Sequence, residues 1–287
     1  MTEKSGSLRR KLAAILVTAF FAYSVPLGAA DLEPQTLAAF HHYVQIAESR
    51  MDSAPVGNGT FIWVEGLPAE HRAATLADLR AGKVVIETLK ETDGGKAIAV
   101  SGGLIHDWVG TVFIPGATLD ETLALEQDYN NHQNYFRPDV MRSQILRHDG
   151  NDYTVLLRFY KKKVITAVLD TVHSVRYSRL DATHAASRSH TTRIQQVENA
   201  GQPNERLEPE GHDDGFLWAM NSYWKFEEKD GGTYVESRSI SLTRDVPTGL
   251  GWMVGPFISS IPRESLAFTL ASTRSAVLSR LPPAARH

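Results

Sequence analysis

Residues 215–281 read GFLWAMNSYWKFEEKDGGTYVESRSISLTRDVPTGLGWMVGPFISSIPRESLAFTLASTRSAVLSRL. Two aromatic-rich strand patterns meet at the turn Lys229-Asp230-Gly231-Gly232, and beyond Pro247 one long apolar-periodic helix runs to the end. Period-two alternation marks the strands and helical spacing marks the final segment. A curved antiparallel sheet closed by a terminal helix encloses space, and such a container suits an apolar guest.

Working outward, the segments before this stretch supply the rest of a sheet. GLIHDWVGTVFIPG (103–116) is a strand ended by Pro115-Gly116, and ATLDETLALEQDYNNHQNYF is a helical interruption stopped by Pro138. Strand patterns then follow one another: MRSQILRHDG, DYTVLLRFYKKK, VITAVLDTVHSVRYSRL and ATHAASRSHTTRIQQVEN. Asp149-Gly150-Asn151-Asp152 is a hairpin turn, and residues 200–215 form a polar loop. Residues 31–53 read as a helix, FIWVEGL as a short strand, and AEHRAATLADLRAG as a second helix ending at Gly82. VVIETLKE and KAIAVSG pair as a hairpin across Thr92-Asp93-Gly94-Gly95.

The expected fold class is therefore α+β. The order strand, helical interruption, antiparallel run and long C-terminal helix resembles the helix-grip fold of the START/Bet v 1-like superfamily (SRPBCC, polyketide cyclase-like). HDWVGTVFIPG, DATHAASRSHTTRI and GLGWMVGPFISSIPRESL resemble stretches of exported bacterial members of that superfamily. The resemblance spans residues 100–282 and implies fold more than activity. The chain is expected to divide into a secretory signal peptide (1–30), an N-terminal helical and hairpin extension (31–99), and a helix-grip domain (100–287).

The chain has 287 residues, 42% of them hydrophobic and 22% charged, which is ordinary for a globular protein. The net charge of −3 gives no electrostatic case for nucleic acid. Lys4, Arg9, Arg10 and Lys11 precede the apolar run Leu12–Val25, and Pro26-Leu27-Gly28-Ala29-Ala30 supplies a small-residue cleavage site. The apolar run is short for a bilayer, which needs roughly 20 residues. Cleavage after Ala30 and export of a soluble protein, periplasmic or secreted, are expected, with no stable membrane span left. Retention as an uncleaved anchor is the alternative. With no cysteine, the chain has no disulfides, no thiolate nucleophile and no Cys-based metal site.

No HExxH, GxSxG, Walker A or GxGxxG motif occurs, and neither cofactor nor metal is expected. His41 and His42 are helix neighbours facing different directions, so they make no metal pair. Asn58-Gly59-Thr60 matches a glycosylation sequon, relevant only in a eukaryotic secretory pathway.

Strand parity nominates the lining of the container. Ser222, Trp224 and Phe226 share one face, and Tyr234, Glu236, Arg238, Ile240 and Leu242 share another; the apolar members point both sets inward. Glu236 and Arg238 are then charges on the cavity face, paired with each other or with a polar head group. The bland alternative places them at a solvated edge. A cluster of His173, Arg176, Tyr177, Arg179, Asp181, His184, Arg188, His190 and Arg193 either binds a carboxylate or phosphate or forms an exposed basic face. Trp252, in the glycine-rich GLGWMVG entry to the last helix, completes the candidate ligand-binding set of Trp224, Phe226, Glu236, Arg238, Arg188, His190 and Trp252. The segment Pro247–Gly255 reads as a hinge.

His106, Asp107 and His132 are the remaining acid/base candidates. Adjacent strand residues face opposite ways, which separates His106 from Asp107 and leaves His132 with Asp107 as the possible dyad. The leading functional expectation is an exported protein binding a lipid or other mainly apolar small molecule. The alternative is a cavity enzyme of cyclase, dehydratase or hydrolase type using His132, His190 or Glu236. A docking role for residues 31–90 is the third.

Overall fold

The computed structural model describes residues 30–53, 60–163, 166–245 and 251–282, with side chains from 260 onward in the last segment. The signal-peptide, sequon and hinge readings lie on or across residues outside these.

The chain begins with a short strand β1 (Ala30–Asp31) and helix α1 (Pro34–Ser53), followed by a 3-10 turn at Trp63–Gly66 and helix α2 (Ala69–Arg80). Strands β2 (Val85–Thr88), β3 (Thr92–Asp93), β4 (Lys96–Ala97) and β5 (Gly103–Pro115) lead to α3 (Leu119–Glu126) and the short α4 (His132–Tyr135). Four long strands follow: β6 (Val140–Asp149), β7 (Asp152–Lys162), β8 (Thr166–Arg179) and β9 (His184–Glu198). After β10 (Arg206–Leu207) and β11 (His212–Asp213), the hairpin β12 (Ala219–Lys229) and β13 (Gly232–Arg244) precedes the terminal helix α5 (Gly251–Arg280).

Among the described residues these build a nine-stranded sheet in the order β2-β5-β13-β12-β9-β8-β7-β6, with β10 added to β9. Every pairing is antiparallel. Sequential hairpins make most of the sheet, while β5 pairs with β13 and brings the start and end of the fold together. The turn between β12 and β13 uses Asp230 and Gly231 at φ 58° and 75°, a left-handed pair that the Asp-Gly sequence tolerates. The fold is the α+β helix-grip arrangement expected from the sequence.

The sheet is covered on both faces. On the inner face, Leu266, Leu270 and Val277 of α5 pack against Val112, Ile114, Val235 and Phe226, with Leu119 and Leu125 of α3 beside them. Gly110 permits this approach, since a Cβ there would lie 2.6 Å from Leu270 Cδ1. On the outer face, Phe40, Tyr43, Val44 and Ala47 of α1 cover Tyr223, Ile240 and Leu242. Phe61, Ile62, Val64 and Leu79 cover Phe113 and Tyr234. Full burial of side chains of this size contributes about 1.5–3 kcal/mol each, so the outer layer stabilises the sheet substantially. No helix among the described residues is long and apolar enough to cross a membrane.

Two local expectations are corrected. FIWVEGL is not a strand: the Glu65 carboxylate accepts the N–H groups of Phe61 at 2.7 Å and Ile62 at 3.2 Å, folding the segment back on itself. A short apolar run does not distinguish these outcomes by periodicity. The hairpin expected from VVIETLKE and KAIAVSG shrinks to β3 and β4 around Gly94 and Gly95. Val85–Thr88 instead pairs with β5 and forms one end of the main sheet.

Candidate functional site

The inner face of the sheet, α3, α4 and α5 enclose a cavity of about 380 Å3. That falls within the roughly 300–1,000 Å3 of small-molecule sites. Its walls differ in chemistry. Val155, Leu157 and Phe159 of β7, Leu169 and Val175 of β8, and Leu266 of α5 are hydrocarbon. Opposed to these in type, the β9, β12 and β13 wall carries Ser187, Ser189, Ser222, Ser237, Ser239, Ser241 and Thr243, with Trp224 among them.

A buried polar group sits where α3 and α4 meet the sheet. Glu126, Tyr129, His132 and Tyr177 all line the cavity. The local sequence sets this up. Thr118 and Glu121 cap α3 reciprocally, with Thr118 Oγ1 accepting Glu121 N–H at 3.2 Å and Glu121 Oε2 accepting Thr118 N–H at 2.9 Å. From that fixed start Leu119, Thr122, Leu123 and Glu126 fall on one buried stripe. The Glu126 Oε1 accepts a hydrogen bond from Thr273 Oγ1 of α5 at 2.9 Å. Its main-chain carbonyl lies 3.1 Å from His132 Nε2 and accepts from Tyr177 OH at 3.3 Å, while the Tyr129 and Tyr177 hydroxyls are 2.9 Å apart.

Burial controls the ionisation of these groups. Desolvation raises the Glu126 carboxyl to about 7, against which the Thr273 hydrogen bond is the smaller effect. Desolvation also lowers His132 to about 4, and the hydrogen bond to the Glu126 carbonyl only partly offsets it. His173, another lining residue, is lowered to about 4 by burial, with the nearby His190 adding to the effect. Thr171 Oγ1 lies 2.8 Å from His173 Nε2. At neutral pH the cavity therefore holds neutral imidazoles and a carboxyl poised to donate or accept a proton. The charged lining residues are engaged elsewhere: Lys161 with Asp139, Lys163 with Glu264 at 2.6 Å, and Arg244 with the Asp214 carbonyl at 3.2 Å. Among the described residues no cation reaches Glu126 within salt-bridge distance.

The structure redistributes the nominated residues. Trp224 lines the cavity. Phe226 is on the same face, stacked on Trp224 at 6.1 Å, but is fully buried in the inner core beneath the lining. Glu236 and Arg238 do not face the cavity. Register pairs Lys225 with Glu236 and Tyr223 with Arg238, while Trp224 pairs with Ser237, so the two charges point outward beneath the N-terminal layer.

Glu236 and Arg238 are also not each other's ion-pair partners. Glu236 accepts the Trp63 N–H and lies 3.6 Å from Lys225 Nζ. Its carboxyl is raised by burial, with Lys225 and the Trp63 N–H pulling the other way. Arg238 holds Asp107 and Glu91. The inward reading failed because both faces of β13 are covered, so apolar members mark either face.

Arg188 and His190 also lie on the outer side of β9, where Arg188 is paired with Asp52 of α1. Arg176 binds Asp152 at 2.6 Å and Arg179 binds Asp120, so Arg176, Arg179 and Arg188 form an ion-paired outer face rather than a head-group ring, while His173 and Tyr177 of the same cluster are buried and line the cavity. The side chain of Trp252 lies outside the described residues. The His132–Asp107 dyad is excluded by position. Asp107 is bound by Arg238 and Tyr43 on the outer face, and His132 lines the cavity on the inner one. His106 faces inward against Thr243 Oγ1 at 3.1 Å, opposite to Asp107 as expected. Glu126 was not anticipated from the sequence.

No family model and no curated protein matches the chain. Solved structures similar to it include a protein from Thermus thermophilus, at 11% identity and TM-score 0.44 over 61% of this chain and 98% of that one. Another is a STAR-related lipid transfer protein from Xanthomonas axonopodis, at 15% identity and TM-score 0.42 over 67% and 98% of the respective chains. A third is the Zhui aromatase/cyclase from a Streptomyces species, at 12% identity and TM-score 0.43 over 63% and 98%.

Proposed function

We propose that this chain is an exported binding protein that holds a lipid or other mainly apolar small molecule inside the helix-grip cavity. The observation that carries the reading is the cavity itself: about 380 Å3 with a hydrocarbon wall on β7, β8 and α5 and a few convergent polar groups. Such a composition is typical of pockets that bury most of a small ligand and orient it by a handful of hydrogen bonds. Export rests on the three-part signature over residues 1–30. Native mass spectrometry of gently purified protein is the test, and it should reveal a co-purified apolar guest. A protein that carries no guest and binds no apolar dye would refute the reading.

One observation favours a second reading, a cavity enzyme of cyclase, dehydratase or hydrolase type. The Glu126 carboxyl, raised to about 7, faces the cavity beside His132 and Tyr177, where it could transfer a proton near neutral pH. His190 and Glu236, the other nominated groups, face away from the cavity. Under this reading a Glu126→Gln variant retains a guest that differs in mass from the one recovered with the wild type. Identical guests would leave binding alone.

A further inference from the structure

The serines of the cavity form an ordered surface. Ser189, Ser222 and Ser239 stand directly opposite one another across β9, β12 and β13. In the row on one side of these Ser187 and Ser237 flank Trp224, and in the row on the other side Ser241 lies beside Met220. Strands about 4.8 Å apart, with same-face residues repeating every ~6.8 Å, turn these side chains into a two-dimensional grid. All six line the cavity. Ser187, Ser237 and Ser241 are only 4%, 2% and 5% exposed, and none of the six hydroxyls has a hydrogen-bond partner among the described residues.

A second observation points the same way from another element. Glu126 is 5% exposed and lines the cavity, yet only its Oε1 is hydrogen-bonded; Oε2 has no partner among the described residues. Buried polar groups are normally satisfied, so unpaired hydroxyls and a carboxyl oxygen aimed into one space imply a partner that occupies it. A plain acyl chain offers none. Had the guest been hydrocarbon on every side, valine or leucine would serve on this wall as they do on β7 and β8.

We propose that the ligand is facially amphipathic: a rigid, mainly hydrocarbon skeleton bearing several hydroxyl or carbonyl oxygens along one edge, with that edge lying on the serine wall of β9, β12 and β13. This deepens the binding reading and rests on it. Serine hydroxyls rotate and both donate and accept, so the wall reads how many oxygens the edge carries more than which kind they are. The hydrocarbon face of the skeleton packs on Val155, Leu157, Phe159 and Leu169. A site built to hydrogen-bond a ligand hydroxyl rejects an analogue lacking it, because its own polar groups are then left unpaired.

The test uses displacement of a neutral apolar dye, N-phenyl-1-naphthylamine, by two steroid acids with the same skeleton and carboxylate. Cholate carries hydroxyls along one face, whereas lithocholate carries a single hydroxyl and is the more apolar. Cholate should displace the dye at a concentration about tenfold lower than lithocholate, the loss expected when a buried polar wall goes unpaired. The combined Ser189→Ala, Ser222→Ala and Ser239→Ala variant should lose that preference, read as the ratio of the two displacing concentrations on the same protein. Lithocholate matching or exceeding cholate on the wild type would overturn the proposal and leave the binding reading standing, as would an unchanged preference in a dye-binding variant. Failure of the wild type to bind the dye would remove both. The wild-type comparison decides the matter even if the variant does not fold.

Discussion

Arg238 holds Asp107 with two guanidinium nitrogens, Nε to Oδ1 at 2.9 Å and Nη2 to Oδ2 at 2.5 Å, on the face of the sheet away from the cavity. Nη2 also reaches Glu91 Oε1 at 2.7 Å, and Tyr43 of α1 donates to Asp107 at 2.9 Å. Arg50 of α1 joins from the other side through Glu91. The network thus ties α1 and the segment before β3 to the middle of β5 and β13.

Replacing Arg238 by Ala leaves Asp107 and Glu91, which are 3% and 6% exposed, without their shared cation. Removing one partner of a buried ion pair costs about 3–5 kcal/mol. Urea unfolding should show a loss of that size, while dye affinity measured on the folded variant should stay unchanged. A loss of dye binding without a loss of stability would place Arg238 in the cavity's service after all.

The cavity can be filled from its hydrocarbon wall. Leu157→Trp adds volume where no core contact depends on its emptiness, so dye binding should weaken by at least about tenfold, equivalent to about 1.4 kcal/mol. Stability should stay within about 1–3 kcal/mol of wild type, the range for added bulk in a packed interior. Fluorescence titration and thermal melting check the two halves separately. Undiminished dye binding would mean that the dye sits elsewhere.

The element order from 102 onward was legible because the strands carry period-two patterns and most of the turns a Gly or Asp signal. The side to which β13 presents its charges was not. Tyr234, Ile240 and Leu242 look core-facing, and they are, but the core they face is the one made with α1, α2 and the 3-10 turn. The cavity takes the alternate set of Ser237, Ser239 and Ser241, whose polarity reads as solvent exposure when one face is assumed wet. Glu126 was hidden for a different reason. Its partner Thr273 lies 147 residues away, and the available local signal was an acid on the same helical stripe as Leu119 and Leu123.

Gly110 sets how closely α5 can sit. A Cβ at this position meets Leu270 Cδ1 at 2.6 Å, Ile86 Cγ1 at 3.1 Å and Leu266 Cδ2 at 3.3 Å. Gly110→Ala should therefore displace the Leu270 side chain or the helix, at a cost of about 1–3 kcal/mol. Because Leu266 also lines the cavity, dye affinity should change along with stability. A variant as stable as wild type with the same affinity would show that α5 does not rest on β5 in solution.

The buried Glu126 gives the protein a pH dependence whose sign follows from its raised carboxyl. The ordinary glutamate value is 4.5 and the folded value about 7, so the folded state binds more protons than the unfolded state between them. Its contribution is fully present below pH 4.5 and is lost as pH rises through about 7, amounting to on the order of 3 kcal/mol. His132 and His173 act in the opposite sense. Lowered from 6.5 to about 4, each contributes stability present above pH 6.5 and lost as pH falls toward 4. Wild-type stability across pH 4.5–6.5 is thus a partial cancellation, and the carboxyl emerges only by difference. Glu126→Gln keeps the size of the side chain and removes its titration. Wild type minus variant, from urea unfolding at pH 5 and pH 8, should show the wild type losing ground on the alkaline side by that order of magnitude. Parallel pH profiles would mean that Glu126 titrates normally and that the cavity is wet at that point.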